Sequence, residues 1–224
     1  MPSVSEHPRQ NALVTLGPTE EPLDEVRFIG NRSSGQMGLA IAESLLSPSP
    51  SNRWSVMVAA GPIRTAIPDA IAHHPHARVE RFRTASDLEA LMRRELPRSD
   101  LVVMAAAVAD FRPRGVAAGK LRRTGEGLTI ELEAVPDLLA STRDARKAGS
   151  RVYGFALEPA ARLRPSALEK LARKDLAGIV ANPLETMDAP DIDGTLFLRD
   201  GRELSPGQRL SKRAFAAWLA GVIA

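Results

Sequence analysis

The 224-residue chain contains no cysteine, which excludes disulfides, thiolate metal sites and a protein thiol nucleophile. Any sulfur chemistry must arrive with a substrate. Aromatic residues make up only 4%, and no basic stripe alternates with stacking side chains. The formal charge of +3 and a pI near 9.7 therefore do not point to nucleic acid, and small anions account for the excess equally well. The four histidines, His7, His73, His74 and His76, fall in loop-like stretches without helical ligand spacing, which speaks against a zinc site and a histidine base. The longest apolar run, Leu101 to Ala109, is far short of the about 20 residues that cross a bilayer, and no basic-then-apolar leader opens the chain. The expectation is a soluble, cytoplasmic protein without a membrane partner.

What is present suits one globular core: 44% hydrophobic and 25% charged residues. Residues 1–10 are polar and proline-bearing and are expected to be flexible; residues 11–224 form a single domain. Ala12 to Leu16 reads as a strand, broken at Gly17-Pro18. Met37, Ala40, Ile41, Ser44 and Leu45 keep helical spacing, and Ser47 to Asn52 is a turn cluster. Trp54 to Ala60, Arg78 to Arg83 and Leu101 to Ala107 are further strands. Ser86 to Leu96 is a helix with Ser86 at its cap. Lys120 to Arg123 and Leu128 to Glu133 flank the turn-rich Thr124 to Gly127, a hairpin whose apolar Leu128, Ile130 and Leu132 need cover, economically from a second subunit. Pro136 to Lys147 is a helix, Val152 to Ala156 a strand, Pro165 to Lys174 a helix and Gly178 to Ala181 a strand. Thr195 to Leu198 with the turn Asp200-Gly201 forms a late antiparallel pair, and Arg209 to Ile223 is a closing helix. Alternation of strands and helices predicts an α/β fold: a Rossmann-like, mostly parallel sheet flanked by helices, with a projecting β-hairpin and a late antiparallel addition.

The loop between the first strand and helix carries Arg27, Asn31, Arg32, Ser33, Ser34 and Gly35. It is too long for a connector, and it sets hydroxyls and guanidinium groups beside free backbone N–H groups, a place that favours phosphate. Lys120, one of five lysines against twenty-five arginines, sits in a Gly-rich stretch beside Arg122 and Arg123. Alone it is a solvated surface lysine, yet such a point charge can close over a polyphosphate. Asp110 follows the most apolar strand, where ligands of open α/β sheets sit. Phe155 alone reads as core. Lys170 and Lys174, four apart on one helix face, repel unless an anion lies between them.

The run GPTEEPLDEVRFIGNRSSGQMGLAIAE (17–43) resembles the opening motif of the bacterial phosphopantothenoylcysteine synthetases. MAAAVADFRP (104–113), GKLRR (119–123), GFALE (154–158) and LEKLARKDLAGIVAN (168–182) resemble later segments of that family in the same order. The resemblance implies a ligase joining 4′-phosphopantothenate to L-cysteine through an acyl-cytidylate formed from CTP, with Mg²⁺, in a homodimer. It implies catalytic roles for Asn31, handling the acyl-nucleotide, and Lys120, forming it. Arg27, Asn31, Ala106 and Ala107 would meet phosphopantothenate. Ser33, Ser34, Gly35, Asp110, Lys120, Phe155, Lys170 and Lys174 would meet the nucleotide. The flavin-dependent decarboxylase often fused to such a domain has no room here, so decarboxylation is expected of a separate protein.

The chain departs from the family pattern at Gln36, Val135, Leu157, Pro159, Asp175, Ala177 and Pro183, mostly on the nucleotide side. A nucleotide-binding homologue without turnover is therefore one alternative. An NAD(P)-dependent Rossmann oxidoreductase is another, but no G-x-G-x-x-G follows the first strand, and Tyr153 has Leu157, not lysine, four residues on.

Overall fold

The computed structural model describes residues 8–48, 54–123, 125, 127–186 and 189–224. In chain order these form β1 (Gln10–Leu16), β2 (Glu20–Pro22), β3 (Phe28–Gly30), α1 (Gln36–Leu46), β4 (Trp54–Ala60), α2 (Asp69–Ala72), β5 (Ala77–Arg81), α3 (Ala85–Glu95), β6 (Leu101–Met104), β7 (Phe111–Pro113), β8 (Leu132–Ala134), α4 (Leu138–Ser141), β9 (Arg151–Glu158), α5 (Leu163–Arg173), β10 (Gly178–Pro183), β11 (Asp191–Ile192), β12 (Thr195–Leu198), β13 (Glu203–Leu204), β14 (Leu210–Ser211) and α6 (Lys212–Ile223). Residues 1–7 of the expected flexible end, residues 49–52 of the turn cluster, and Thr124 and Glu126 of the hairpin turn lie outside the described residues.

The main sheet has the order β13-β12-β10-β9-β6-β1-β4-β5. From β10 to β5 every neighbouring pair is parallel, and β12 and β13 extend the β10 edge antiparallel. Strand β1 is central and is apolar on both faces because helices cover both. Ala12, Val14 and Leu16 pack into one core with α1 and α6, among Ile41, Leu45, Phe215 and Leu219. Leu13 packs into the other with α3 and α5, among Leu88, Met92, Ala167 and Leu171. This is the three-layer α/β arrangement expected from the sequence.

Four local expectations are corrected. The hairpin pairs Phe111–Pro113 with Leu132–Ala134, and the Arg114 N–H extends it to the Glu131 carbonyl at 3.0 Å. Lys120 to Arg123 is not its arm, because that segment takes its backbone partners from the turn at residues 23–27. The α3 cap is Thr84, not Ser86. Thr84 Oγ1 accepts from the Asp87 N–H at 3.1 Å, while Asp87 Oδ2 accepts from the Thr84 N–H at 2.8 Å. The helix expected from Pro136 to Lys147 is one turn, α4, ended where the Thr142 hydroxyl donates back to the Leu138 carbonyl at 2.6 Å. Finally, the strand from Leu101 stops at Met104, for a reason that belongs to the site.

Candidate functional site

β6 stops at Met104 because there it parts from β9, while the chain beyond stays beside residues 15–19 in the register of β1, with Pro18 bridged to Ala107 as Thr15 is paired with Met104. The Ala105 N–H donates to the Thr15 carbonyl at 3.1 Å, and the Ala107 N–H to the Gly17 carbonyl at 2.9 Å. The buried Thr15 hydroxyl accepts from the Ala106 N–H at 3.2 Å. On the other side the Thr19 N–H reaches the Ala107 carbonyl at 3.1 Å, and Thr19 Oγ1 accepts from the Ala109 N–H at 3.0 Å. Residues 105–109 thus become a floor beyond the strand ends, where the strand order turns from β4 to β6 and open sheets hold their ligands.

A cavity of about 300 Å³ opens on that floor. Its wall on one side is the loop Arg32 to Gly35 with the first turn of α1, and on the other Phe155 to Leu157 from the end of β9. Gly35 is required by geometry: its φ is +73°, and a Cβ there would lie 2.7 Å from Ile63 Cγ2 and 3.0 Å from Leu16 Cδ1. No side chain caps α1; Ser34 Oγ stands 3.5 Å from the Gln36 N–H, at the limit of a hydrogen bond. The Leu39 N–H is satisfied by the Gly35 carbonyl at 3.0 Å, while Gln36, Met37 and Gly38 line the cavity. The first turn of α1 thereby offers N–H groups and the positive end of a helix dipole to an anion.

The structure brings Ser33, Ser34, Gly35, Ala106, Ala107 and Phe155 together around this cavity. Asn31 reaches the same floor: its Nδ2 donates to the Ala107 carbonyl at 3.2 Å and the Val108 carbonyl at 3.0 Å. With two carbonyls facing one end of the amide, that end has to be the NH₂ group, and Oδ1 is left as an acceptor.

Arg27 and Lys120 form a neighbouring group. The Arg27 guanidinium pairs with Asp24 at 2.9 Å and donates to the Leu121 carbonyl. The Ala117 N–H donates to the Leu23 carbonyl at 3.1 Å, so the segment bearing Lys120 lies on the turn bearing Arg27. Lys120 is exposed and has no acidic partner among the described residues. Asp110 is exposed outside the cavity; its carbonyl holds the Val135 N–H at 2.9 Å. Lys170 and Lys174 are not brought in: Lys170 contacts Glu158, and Lys174 pairs with Asp137 at 3.0 Å. The Lys170 and Ser166 hydrogen bonds, with burial opposing them, hold the Glu158 carboxyl below its ordinary range.

Arg32, marked from the sequence as part of the phosphate-favouring loop, also lines the cavity, as do Asn182, Thr186, Ile192 and Lys212, which were not singled out from the sequence as site residues. Thr186 is buried and its hydroxyl is doubly used, accepting from Asn182 Nδ2 at 3.0 Å and donating to the Pro183 carbonyl at 2.7 Å. Lys212 had one signal in the sequence, its rarity as a lysine, but only the topology carries α6 to this edge of the sheet. A larger cavity, about 730 Å³, opens at the opposite edge beside Val152 and Ala177. Four of its five cations are paired with carboxylates, Arg199 with Asp175 at 2.7 Å, Arg202 with Asp200 at 2.7 Å, Arg143 with Asp175 at 3.9 Å, and Lys147 with Asp100, while Arg146 donates to the Leu139, Lys174 and Asp175 carbonyls.

Among the described residues no carboxylate lines the smaller cavity, and no three His, Asp or Glu side chains gather as a metal cluster. The described residues therefore do not fit a resident Mg²⁺, whose sites are built on one or two carboxylates together with phosphate oxygens. No helix of the described residues is long and apolar enough to cross a membrane.

Residues 8–224 match the model of the DNA/pantothenate metabolism flavoprotein C-terminal domain family. The chain is 37% identical to the coenzyme A biosynthesis bifunctional protein CoaBC of Mycolicibacterium smegmatis over 204 residues, 86% of this chain and 47% of that protein. It is 32% identical to the Escherichia coli strain K12 protein of the same name over 206 residues, 89% and 48% of the two chains. It thus spans about half the length of these curated relatives. The crystal structure of the C-terminal domain of a CoaBC protein superposes with a TM-score of 0.77 at 28% identity, covering 96% of this chain and 94% of that one. A Cab2 mutant in complex with phosphopantothenate-cysteine shares the fold, with a TM-score of 0.75 at 19% identity over 96% and 85% of the chains.

Proposed function

The chain belongs to the DNA/pantothenate metabolism flavoprotein C-terminal domain family, and from that membership we propose that it is a ligase of coenzyme A biosynthesis, joining 4′-phosphopantothenate to L-cysteine with CTP. One observation carries the reading: Ser33 to Gly38, Ala105 to Ala107 and Phe155 to Leu157, far apart in sequence, border a single cavity. These are the segments that resemble the synthetase motifs. The names of the curated relatives support a place in coenzyme A biosynthesis.

In this reading the pantothenate carboxylate attacks the α-phosphorus of CTP and pyrophosphate leaves. The cysteine amine then attacks the acyl carbon, loses a proton, and CMP leaves with the bonding pair. Catalysis of the first step is positioning plus cationic stabilisation of phosphate charge. The free N–H groups of α1 and the Ser33 and Ser34 hydroxyls suit the phosphates, and Lys120, on its loop, moves in to complete the charge. Asn31 has its donors held by the Ala107 and Val108 carbonyls, so Oδ1 is the atom that accepts from the incoming amine. Arg27 and the Ala106–Ala107 backbone lie on the phosphopantothenate side. Phe155 borders the nucleotide, and Asp110 is its outlying contact. Mg²⁺ enters as the counter-ion of the nucleotide and not on a resident site.

The purified protein is expected to release pyrophosphate only when CTP and phosphopantothenate are both present. Absence of that joint dependence with any nucleotide removes the ligase reading. A second reading, a nucleotide-binding homologue without turnover, is favoured by Lys170 and Lys174 being held by Glu158 and Asp137. Calorimetric CTP binding without pyrophosphate release selects it. We further propose a cytoplasmic homodimer, paired through the exposed Leu128, Ile130 and Leu132.

A further inference from the structure

Helices α1 and α6 pack side by side in one core and run the same way. α1 starts at the cavity and returns the chain towards the start of β4, which is parallel to β1. α6 also starts at the cavity, with Lys212. It ends at the opposite edge, where the Ile223 carbonyl accepts from Arg151 Nη1 at 2.6 Å beside the first residue of β9. Parallel helices set like ends of their dipoles together, which is unfavourable unless a negative charge lies between those ends.

Lys212 makes the imbalance larger. Three of the five lysines hold a carboxylate: Lys147 has Asp100, Lys170 has Glu158 and Lys174 has Asp137. Lys212 is half-buried and lines the cavity, and among the described residues no carboxylate lines that cavity and none is an ionic partner of Lys212. Its backbone is fixed. The β11–β14 ladder pairs Ile192 with Leu210, the Lys212 N–H donates to the Pro190 carbonyl at 3.3 Å, and Ser211 Oγ caps α6 by accepting from the Ala214 N–H at 3.2 Å. An amine on so fixed a backbone, without an ionic partner among the described residues and sharing a cavity with a helix N-terminus, makes a site for a multiply charged anion.

We propose that Lys212 is a nucleotide-binding residue that holds the β- and γ-phosphates of the nucleoside triphosphate between the amino ends of α1 and α6. This rests on the ligase reading, in which such a nucleotide is the substrate. The C-terminal helix is then part of the site and not only a cover for the sheet. A single amine aimed at the outer phosphates distinguishes CTP from CMP, and its loss acts on nucleotide KM more than on kcat, because the contact persists from ground state to transition state.

The test is calorimetry with CTP, CMP and phosphopantothenate on the parent, Lys212→Gln and Lys212→Arg proteins, after unliganded melting curves show that all three are folded. Lys212→Gln is expected to weaken CTP by about tenfold or more, the loss of one charge-assisted hydrogen bond, and to leave CMP within about twofold, with Lys212→Arg recovering most of the CTP affinity. CTP binding that Lys212→Gln leaves unchanged overturns this assignment alone. Weakened phosphopantothenate with intact CTP binding also overturns it, by giving the amine to the other substrate. A parent protein that binds no nucleoside triphosphate overturns it together with the ligase reading.

Discussion

The Asp24 carboxylate accepts from the Leu121 N–H at 3.1 Å, and so joins the turn bearing Arg27 to the segment bearing Lys120. The same carboxylate accepts from the Val26 and Arg27 N–H groups at 2.8 and 2.7 Å and pairs with the Arg27 guanidinium. Burial raises its pKa, but the backbone N–H groups and Arg27 outweigh it and hold the carboxyl below the ordinary aspartate range. For a depressed acid, the stabilisation is complete above the unfolded pKa and is lost as pH falls through the lower folded one. Asp24→Asn is expected to release the Lys120 segment at neutral pH. Hydrogen exchange at the Leu121 and Ala117 amides should speed up severalfold while the β1 amides stay protected; unchanged Leu121 exchange contradicts this.

The two residues given catalytic roles separate the half-reactions. Lys120→Gln removes the mobile charge and is expected to abolish pyrophosphate release. Asn31→Asp sets a carboxylate oxygen against the Ala107 and Val108 carbonyls, which repel it, so the side chain turns from its present position. Pyrophosphate release is then expected to persist while the acyl-cytidylate accumulates. Mass spectrometry of quenched mixtures decides, and no intermediate in Asn31→Asp removes the second-step role.

Gly35→Ala tests the mouth of the cavity. The αL conformation costs a side chain about 1 to 2 kcal/mol, and the added Cβ meets Ile63 Cγ2 at 2.7 Å. A loss of about 2 kcal/mol is expected, or about 4 to 8 °C in Tm for a chain of this size, with weaker nucleotide binding. An unchanged Tm shows that Ile63 and the loop yield at no cost.

The fold was legible because each strand of the parallel sheet is a short apolar run between turn residues, and Trp54 to Ala60 forms the strand that its composition predicts. The cavity's motif-bearing walls were legible because loop length and local chemistry mark Ser33 to Gly35. Lys212 and Thr186 were not, since their role comes from the sheet order and the β11–β14 ladder, pairings over distances that no local pattern encodes. The hairpin was misread for the same reason. Lys120 to Arg123 is β-capable, yet Asp24 and Arg27, about a hundred positions earlier, supply its partners.

Glu95 gives a stability prediction remote from the site. It is 2% exposed, pairs with Arg78 at 2.6 Å and Arg94 at 2.9 Å, and stands 3.6 Å from Arg98. Burial alone raises its pKa, but the hydrogen bonds from Arg94 and Arg78 prevail and depress it. Glu95→Gln is expected to cost about 1 to 2 kcal/mol at pH 7, less than a fully buried pair because the guanidinium groups are half in water. As pH falls through the depressed pKa, the parent loses this term while the variant does not. The gap between their urea midpoints should therefore narrow towards pH 3, and a constant gap shows that packing, not charge, sets the cost.

The hairpin poses the last test. Leu128 is 59% exposed, Leu132 42% and Ile130 37%, with Phe111 at 55% on the partner strand. At about 25 cal/mol per Å², covering these side chains stabilises an association, whereas a monomer leaves them in water on a hairpin with no core of its own. If a second copy covers them, Leu128→Asp combined with Leu132→Asp places two charges on each side of the contact, and both copies must desolvate them. Light scattering is expected to give a dimeric mass for the parent and a monomeric mass for the double variant, with far-ultraviolet circular dichroism unchanged because the main sheet is untouched. A monomeric parent ends the homodimer proposal, and a dimeric double variant moves the interface to another face.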